Sequence, residues 1–219
     1  DTDEEYQKIS NMLSDVKSNN PDLIIFAGDY TGSPDAVNNM NNHRLNVAEL
    51  LTRNDKQKKI FVLGNYESWS EPEKWLEAFE NTGAYILEND VLELIWKDQS
   101  ICIRGLGDYY TRKFNYIDFP SECRKSIKFS VTHDPAGGFH RNMDGLILAG
   151  HTHCGQISFP FVGALWIPST APREATCGLY EDTKRTIFTT AGAGTTLLPI
   201  RIGTKSSWDL LSVKFTSKK

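Results

Sequence analysis

The chain has 219 residues, 39% hydrophobic and 24% charged, with 24 basic against 28 acidic side chains and a formal net charge of −4. That length suits a single domain over 1–219, and Lys and Arg are scattered rather than striped, so nucleic-acid binding has no electrostatic support. No run of about 18 apolar residues is present to span a membrane, and the acidic opening Asp1-Thr2-Asp3-Glu4-Glu5 is unlike a basic-then-apolar secretory signal.

Residues 4–18 place Tyr6, Ile9, Met12, Leu13 and Val16 on one helical face, and Asn19-Asn20-Pro21 ends that helix. Leu23-Ile24-Ile25-Phe26-Ala27 is a short apolar run bounded by turn residues, the pattern of a strand buried on both faces. A second helix is expected within 35–53, using Val37, Leu45, Val47, Leu50 and Leu51, followed by a buried strand at Ile60-Phe61-Val62-Leu63. Ser70 and Glu73 give a capping-box pattern for a helix to about Thr82 that buries Trp75, Leu76 and Phe79. This alternation of helix and strand is the mark of an α/β sheet.

The pattern then changes. Residues 91–96 and 101–106 read as an antiparallel hairpin across Lys97-Asp98-Gln99-Ser100. Residues 127–131 and 146–149 are further apolar runs, and strands are expected at 157–162, 186–190 and 208–215. Cys102, Cys123, Cys154 and Cys177 lie far apart without a C-x-x-C pair and read as four free thiols, which leaves the compartment open.

Four apolar runs each end in a potential ligand: Gly28-Asp29, Gly64-Asn65, Thr132-His133 and Gly150-His151-Thr152-His153. Singly, Gly-Asp and Gly-Asn are turn or cap chemistry, and a lone histidine is a satisfied core imidazole. His151 and His153 are a stronger signal, because residues two apart on extended backbone point the same way. Open α/β sheets bind ligands beyond the carboxyl ends of their strands, so together the four ends point to one site. Carboxylate, amide oxygen and imidazole suit Mn, Fe or Zn. Cys154 reads as a small residue in a Gly-rich turn rather than a ligand.

Gly28-Asp29, Gly64-Asn65-Tyr66-Glu67, Thr132-His133-Asp134-Pro135 and Gly150-His151-Thr152-His153-Cys154-Gly155-Gln156 resemble the ordered motifs of calcineurin-like metallophosphoesterases. The nearest likeness is to bacterial phosphodiesterases whose histidine motif continues into Gly-Gln, and it extends over Gly178-Leu179-Tyr180, Ala191-Gly192-Ala193-Gly194-Thr195 and Leu198-Pro199-Ile200-Arg201. The resemblance implies an α/β, two-sheet sandwich flanked by helices (αββα) that holds two divalent metal ions. It implies Asp29 bridging both, Asn65, His133 and His151 completing one, and His153 binding the other. Asn65, Tyr66 and His151 are then the candidate catalytic residues, and a metal-bridging hydroxide is the expected nucleophile. The expected substrates are phosphate esters, either diesters or lipid-linked pyrophosphates. The alternative is a weak or inactive scaffold that serves as a binding module.

Two departures from the family pattern matter. Its first motif, Asp-x-His, is absent, so the natural protein is expected to extend upstream with two more ligands for the second metal and an anchor or export signal. Whether the domain is cytoplasmic, membrane-associated or exported turns on that segment. Tyr66 stands where the family usually has a histidine, and a phenol of pKa about 10 is the weaker acid. Residues 159–168 are apolar and punctuated by Pro and Gly; they read as core strand and turn, or as a greasy rim that admits lipid tails or touches a bilayer. Arg173 and Arg201 are candidates to grip a phosphate or to form surface salt bridges.

Overall fold

The computed structural model describes residues 3–53 and 57–214. In chain order it runs α1 (Asp3–Ser18), β1 (Leu23–Phe26), α2 (Met40–Thr52), β2 (Lys58–Val62), α3 (Asn65–Trp69), α4 (Pro72–Glu80) and β3 (Tyr85–Leu87). Strands follow: β4 (Asp90–Trp96), β5 (Gln99–Leu106), β6 (Ile127–Thr132), β7 (Gly145–Ala149), β8 (Ser158–Phe159), β9 (Gly163–Ala164), β10 (Gly178–Glu181) and β11 (Arg185–Thr189). β1, β2 and β3 form a parallel sheet in that order. The second sheet runs β10-β11-β7-β6-β5-β4, parallel from β11 to β5 and antiparallel at both edges.

The apolar run of β2 explains how the layers stack. Ile60 and Val62 face the second sheet and pack with Ile103, Phe129 and Val131, while Phe61 and Leu63 turn to the helices and meet Leu13, Val47, Trp75 and Phe79. A strand covered on both faces has no polar side to show, hence the unbroken hydrophobic stretch. Each such side chain contributes about 1.5–3 kcal/mol by leaving water. On the outer face of the six-stranded sheet, Leu106, Ile147 and Ile187 are covered by Phe114, Tyr116, Ile117, Phe139 and Met143. That layer consists of loop and 3-10 helix (Ser121–Lys125 and Pro135–Phe139), whereas the α-helices all flank the first sheet. The two-sheet sandwich is therefore the observed fold, with its α-helices against the first sheet and loop and 3-10 turns where a second helical layer was expected.

Several local expectations are corrected. Helix α2 begins at Met40, capped by the Asn39 side chain, so Val37 precedes it and Leu45 is 48% exposed. The Ser70–Glu73 box does not form: Pro72 opens α4 behind Glu71, which sits at φ 59. Ser70 instead closes α3, its hydroxyl donating to the Tyr66 carbonyl (2.7 Å) and accepting from the Trp75 indole (2.9 Å). Of 157–162 only Ser158–Phe159 is strand, because Pro160 lacks an N–H and the chain turns at Phe161 into β9. Residues 208–214 join no ladder, and Phe215 lies outside the described residues.

The four cysteines are not free. Cys102 of β5 is bonded to Cys123, and Cys154 to Cys177, at sequence separations of 21 and 23. Spacing rules missed them because the partners become neighbours only once the sheet and its covering turns are built. Closing loops of this length stabilises by about 3 kcal/mol per bridge through the unfolded chain's entropy. Unreduced protein denatured in guanidinium is expected to titrate with no thiols, and reduction to lower its urea midpoint. Four titratable thiols before reduction would refute the pairing.

Candidate metal centre

The carboxyl ends of β1 and β2 in one sheet, and of β6 and β7 in the other, meet at one edge of the sandwich. Glycine precedes the ligand candidate at β1 and β2 for a steric reason. A Cβ on Gly28, itself at φ 89, would stand 2.6 Å from His133 Nδ1, and one on Gly64 would stand 2.3 Å from Asp29 Oδ1. The two sheets are thus tied at this edge by approaches that only glycine permits.

Four ligand atoms converge there. His133 Nε2 lies 3.2 Å from Asp29 Oδ2, 3.1 Å from Asn65 Oδ1 and 3.1 Å from His151 Nδ1. The ligand atoms of Asp29, His133 and His151 all fall within 4.8 Å of one another. Each imidazole is anchored through its other nitrogen: His133 Nδ1 donates to the Ala27 carbonyl at 2.5 Å, and His151 Nε2 donates to the Pro168 carbonyl. Those bonds orient the rings so that in the neutral form each inward nitrogen is a lone pair, the usual way a protein orients metal-binding histidines. A carboxylate oxygen, an amide oxygen and two imidazole lone pairs therefore face one point.

Such a set repels itself unless a cation lies among its members, so these residues fit a divalent ion. The electrostatics register the same demand. Burial opposes charge on His133, but the charge and hydrogen bond of Asp29, joined by Asp108 and the Ala27 carbonyl, together push the pKa up to about 10. Burial also opposes ionisation of Asp29, yet His133 holds its pKa below the ordinary value. The His151 pKa is lowered by burial and then by His133.

His153 lies outside this cluster. The expectation that it points with His151 assumed extended backbone, but His151, His153, Cys154 and Gln156 have φ of 66, 51, 54 and 43. The motif coils instead of running straight, and the His153 ligand atoms fall outside the set that Asp29, His133 and His151 form. His153 Nδ1 is 3.0 Å from Arg201 Nη2, and burial followed by Arg201 lowers the His153 pKa to about 4. The coil is fastened by the Cys154–Cys177 bridge and by Thr152, whose hydroxyl donates to the Thr176 carbonyl (2.6 Å). Arg201 and Arg173 hold loops: Arg201 donates to the carbonyls of His153, Ala191, Gly192 and Gly194, and Arg173 to those of Val162 and Ala164.

Tyr66 sits in the first turn of α3, its N–H donating to Asp29 Oδ1 (3.1 Å) and its hydroxyl 2.5 Å from Thr196 Oγ1. Three neighbours had no role assigned from the sequence. Glu67, fully buried, accepts four backbone N–H groups, from Asp29 (2.8 Å) and Gly64 (2.8 Å) on one oxygen and from Tyr30 (2.8 Å) and Thr31 (3.3 Å) on the other. Burial and Asp29 push its pKa up to about 7, whereas two donors on each oxygen are matched to the carboxylate. Asp108 follows β5 through Gly107 as Asp29 follows β1 through Gly28, a repeated signal that could have found it. It is buried, and its field favours the charged forms of His133 and His151. Tyr110 stands over His151, with ring centroids 4.9 Å apart.

The chain is similar to known proteins. The family profile described as calcineurin-like phosphoesterase matches residues 1–155. A zebrafish (Danio rerio) transmembrane protein with metallophosphoesterase domain is 26% identical over 216 residues, which are 91% of this chain and 47% of that protein. The uncharacterized metallophosphoesterase YkuE of Bacillus subtilis is 26% identical over 218 residues, 96% of this chain and 74% of its own. Among solved structures, the sulfate thiohydrolase SoxB of Thermus thermophilus superposes with a TM-score of 0.51 at 13% identity, covering 85% of this chain and 38% of that one, a likeness of fold. The chain thus spans about half the length of the zebrafish relative.

Proposed function

The chain belongs to the calcineurin-like phosphoesterase family, and from that premise we propose that it is a metal-dependent hydrolase of phosphate esters, acting on phosphodiesters or lipid-linked pyrophosphates. The observation that carries the reading is the convergence of Asp29, Asn65, His133 and His151 donor atoms on one point. A divalent ion there, Mn, Zn or Fe by donor type, would supply Lewis acidity and lower the pKa of water. The chain's own residues do the rest. Ala27 and Pro168 orient the imidazole rings, and Glu67 holds the Asp29 turn against the Asn65 turn. A second ion is proposed to draw on Asp29 and His153. The two disulfides favour an exported setting, since such bridges persist in oxidising compartments.

The test is hydrolysis of bis-(4-nitrophenyl) phosphate by metal-loaded protein. Turnover that a chelator abolishes and Mn or Zn restores is expected. No turnover together with no bound metal would instead leave the binding-scaffold reading, which the guanidinium beside His153 favours.

Tyr66 is proposed as the proton donor to the leaving group. Tyr66→Phe should then slow alkyl phosphodiesters by about 100-fold, the scale of general-acid help. The bis-nitrophenyl ester, whose leaving group departs unaided, should be nearly unaffected. Equal losses on both substrates would assign Tyr66 to packing against Thr196 and Trp69.

A further inference from the structure

Two segments beside the candidate centre carry large apolar side chains where neither packing nor backbone favours them. In the β8–β9 hairpin and the strand end after it, Phe161, Leu165 and Trp166 are 109%, 64% and 58% exposed; in the loop 196–202, Leu197, Leu198 and Ile200 are 83%, 52% and 48% exposed. The two segments form one surface. Ser158 N donates to the Ile202 carbonyl (2.8 Å), Ile202 N donates to that of Gln156 (2.9 Å), and the Gln156 amide donates to those of Thr196 (2.9 Å) and Leu198 (3.0 Å). Its root is therefore Gln156, three residues beyond His153. Single exposed hydrophobics are ordinary, but a contiguous set marks an interaction surface.

The backbone adds an independent observation. Phe161 and Leu197, the two most exposed of the set, have φ of 68 and 59, a left-handed region where glycine or asparagine is at ease and a bulky side chain is not. Local strain and apolar exposure coincide on the same two residues and serve no packing within the described fold.

Charge selects the partner. Segments 156–173 and 191–208 contain Arg173, Arg201 and Lys205 and no acid, in a chain whose net charge is −4; Glu174 and Asp209 come only after each segment ends. A second copy would bring like charges together. We propose that this surface docks on an anionic phospholipid bilayer. Phe161, Trp166 and Leu197 enter the boundary between headgroups and acyl chains, and Arg173 and Lys205 lie at the level of the lipid phosphates. The proposal deepens the lipid-linked reading above by setting the metal centre beside a membrane plane, and its readout is binding, so a catalytically silent chain still tests it.

The experiment is co-sedimentation of the full chain with phosphatidylcholine vesicles, with and without phosphatidylglycerol. Binding to the anionic vesicles that weakens with salt is expected. Phe161→Asn combined with Trp166→Ser should lower the affinity by at least about tenfold while leaving the melting temperature in place. Should that pair melt early, Leu197→Asn on the other segment gives the same reading. No sedimentation with anionic vesicles, equal binding by a folded variant, or a dimer that the variants dissociate without any lipid binding would each overturn the proposal.

Discussion

On the proposed function, replacing His133 with alanine is expected to abolish stoichiometric binding of a divalent ion and to lower phosphodiester hydrolysis by at least about 100-fold, since losing even an outer partner of a ligand costs 10–100-fold. His133 is the residue on which the others converge. Its Nε2 is within 3.2 Å of Asp29, Asn65 and His151, and its Nδ1 ties the end of β6 to Ala27 at the end of β1. Removing the ring leaves the Asp29 carboxylate and the His151 imidazole around a void, with the donor they converge on gone. Elemental analysis and the bis-nitrophenyl assay read the two losses, and near-ultraviolet circular dichroism checks that the sandwich persists. His153→Ala is the contrasting variant: lying outside the cluster, it should leave the ion held by Asn65, His133 and His151 in place. If His133→Ala kept metal and rate, or if His153→Ala emptied the cluster equally, the four-donor centre would be misplaced.

What the sequence disclosed about this centre followed one rule. Asp29, Asn65, His133 and His151 were legible because each ends a buried apolar strand, and the sandwich brings the carboxyl ends of β1, β2, β6 and β7 to one edge. Strand ends are written locally, in the change from apolar run to Gly or Thr plus a polar residue. His153 was placed by a further assumption, that the backbone after β7 stays extended, and the positive φ at His151, His153, Cys154 and Gln156 removes it. Such a coil is set by Thr152, Cys154 and their distant partners Thr176 and Cys177, which no local pattern announces.

The other failures share that cause. Residues 157–162 and 208–214 have strand composition, yet a strand also requires an edge to receive its backbone groups. Pro160 breaks the first segment, and the second pairs with no strand among the described residues. The disulfides depend on which turn crosses which strand, a tertiary fact. Glu67 was hidden differently. All its partners are backbone N–H groups, so no complementary side chain marked it, although its spacing from Gly64 is that of a capping box.

That concealed residue carries the largest expected effect on stability. Glu67→Ala leaves four N–H groups of Asp29, Tyr30, Thr31 and Gly64 without their acceptor, at a position where the Glu67 side chain is wholly buried. Stranded buried donors cost about 1–3 kcal/mol each when nothing relaxes. With partial relaxation of the Tyr30 and Thr31 turn, about 3–5 kcal/mol in total is expected, the range for breaking a buried charged network. With a urea slope of about 1–3 kcal/mol per molar, the midpoint should fall by more than about 1 M. Glu67→Gln should recover little of this, because its amide nitrogen would face two donors where an oxygen accepted both. The clamp also holds Asp29 at φ 58, so metal affinity should weaken even under conditions where the variant is folded. A Glu67→Ala protein within about 1 kcal/mol of the parent would mean that the edge closes without its carboxylate. The glycines at 28 and 64 would then be the whole of what brings the two strand ends together.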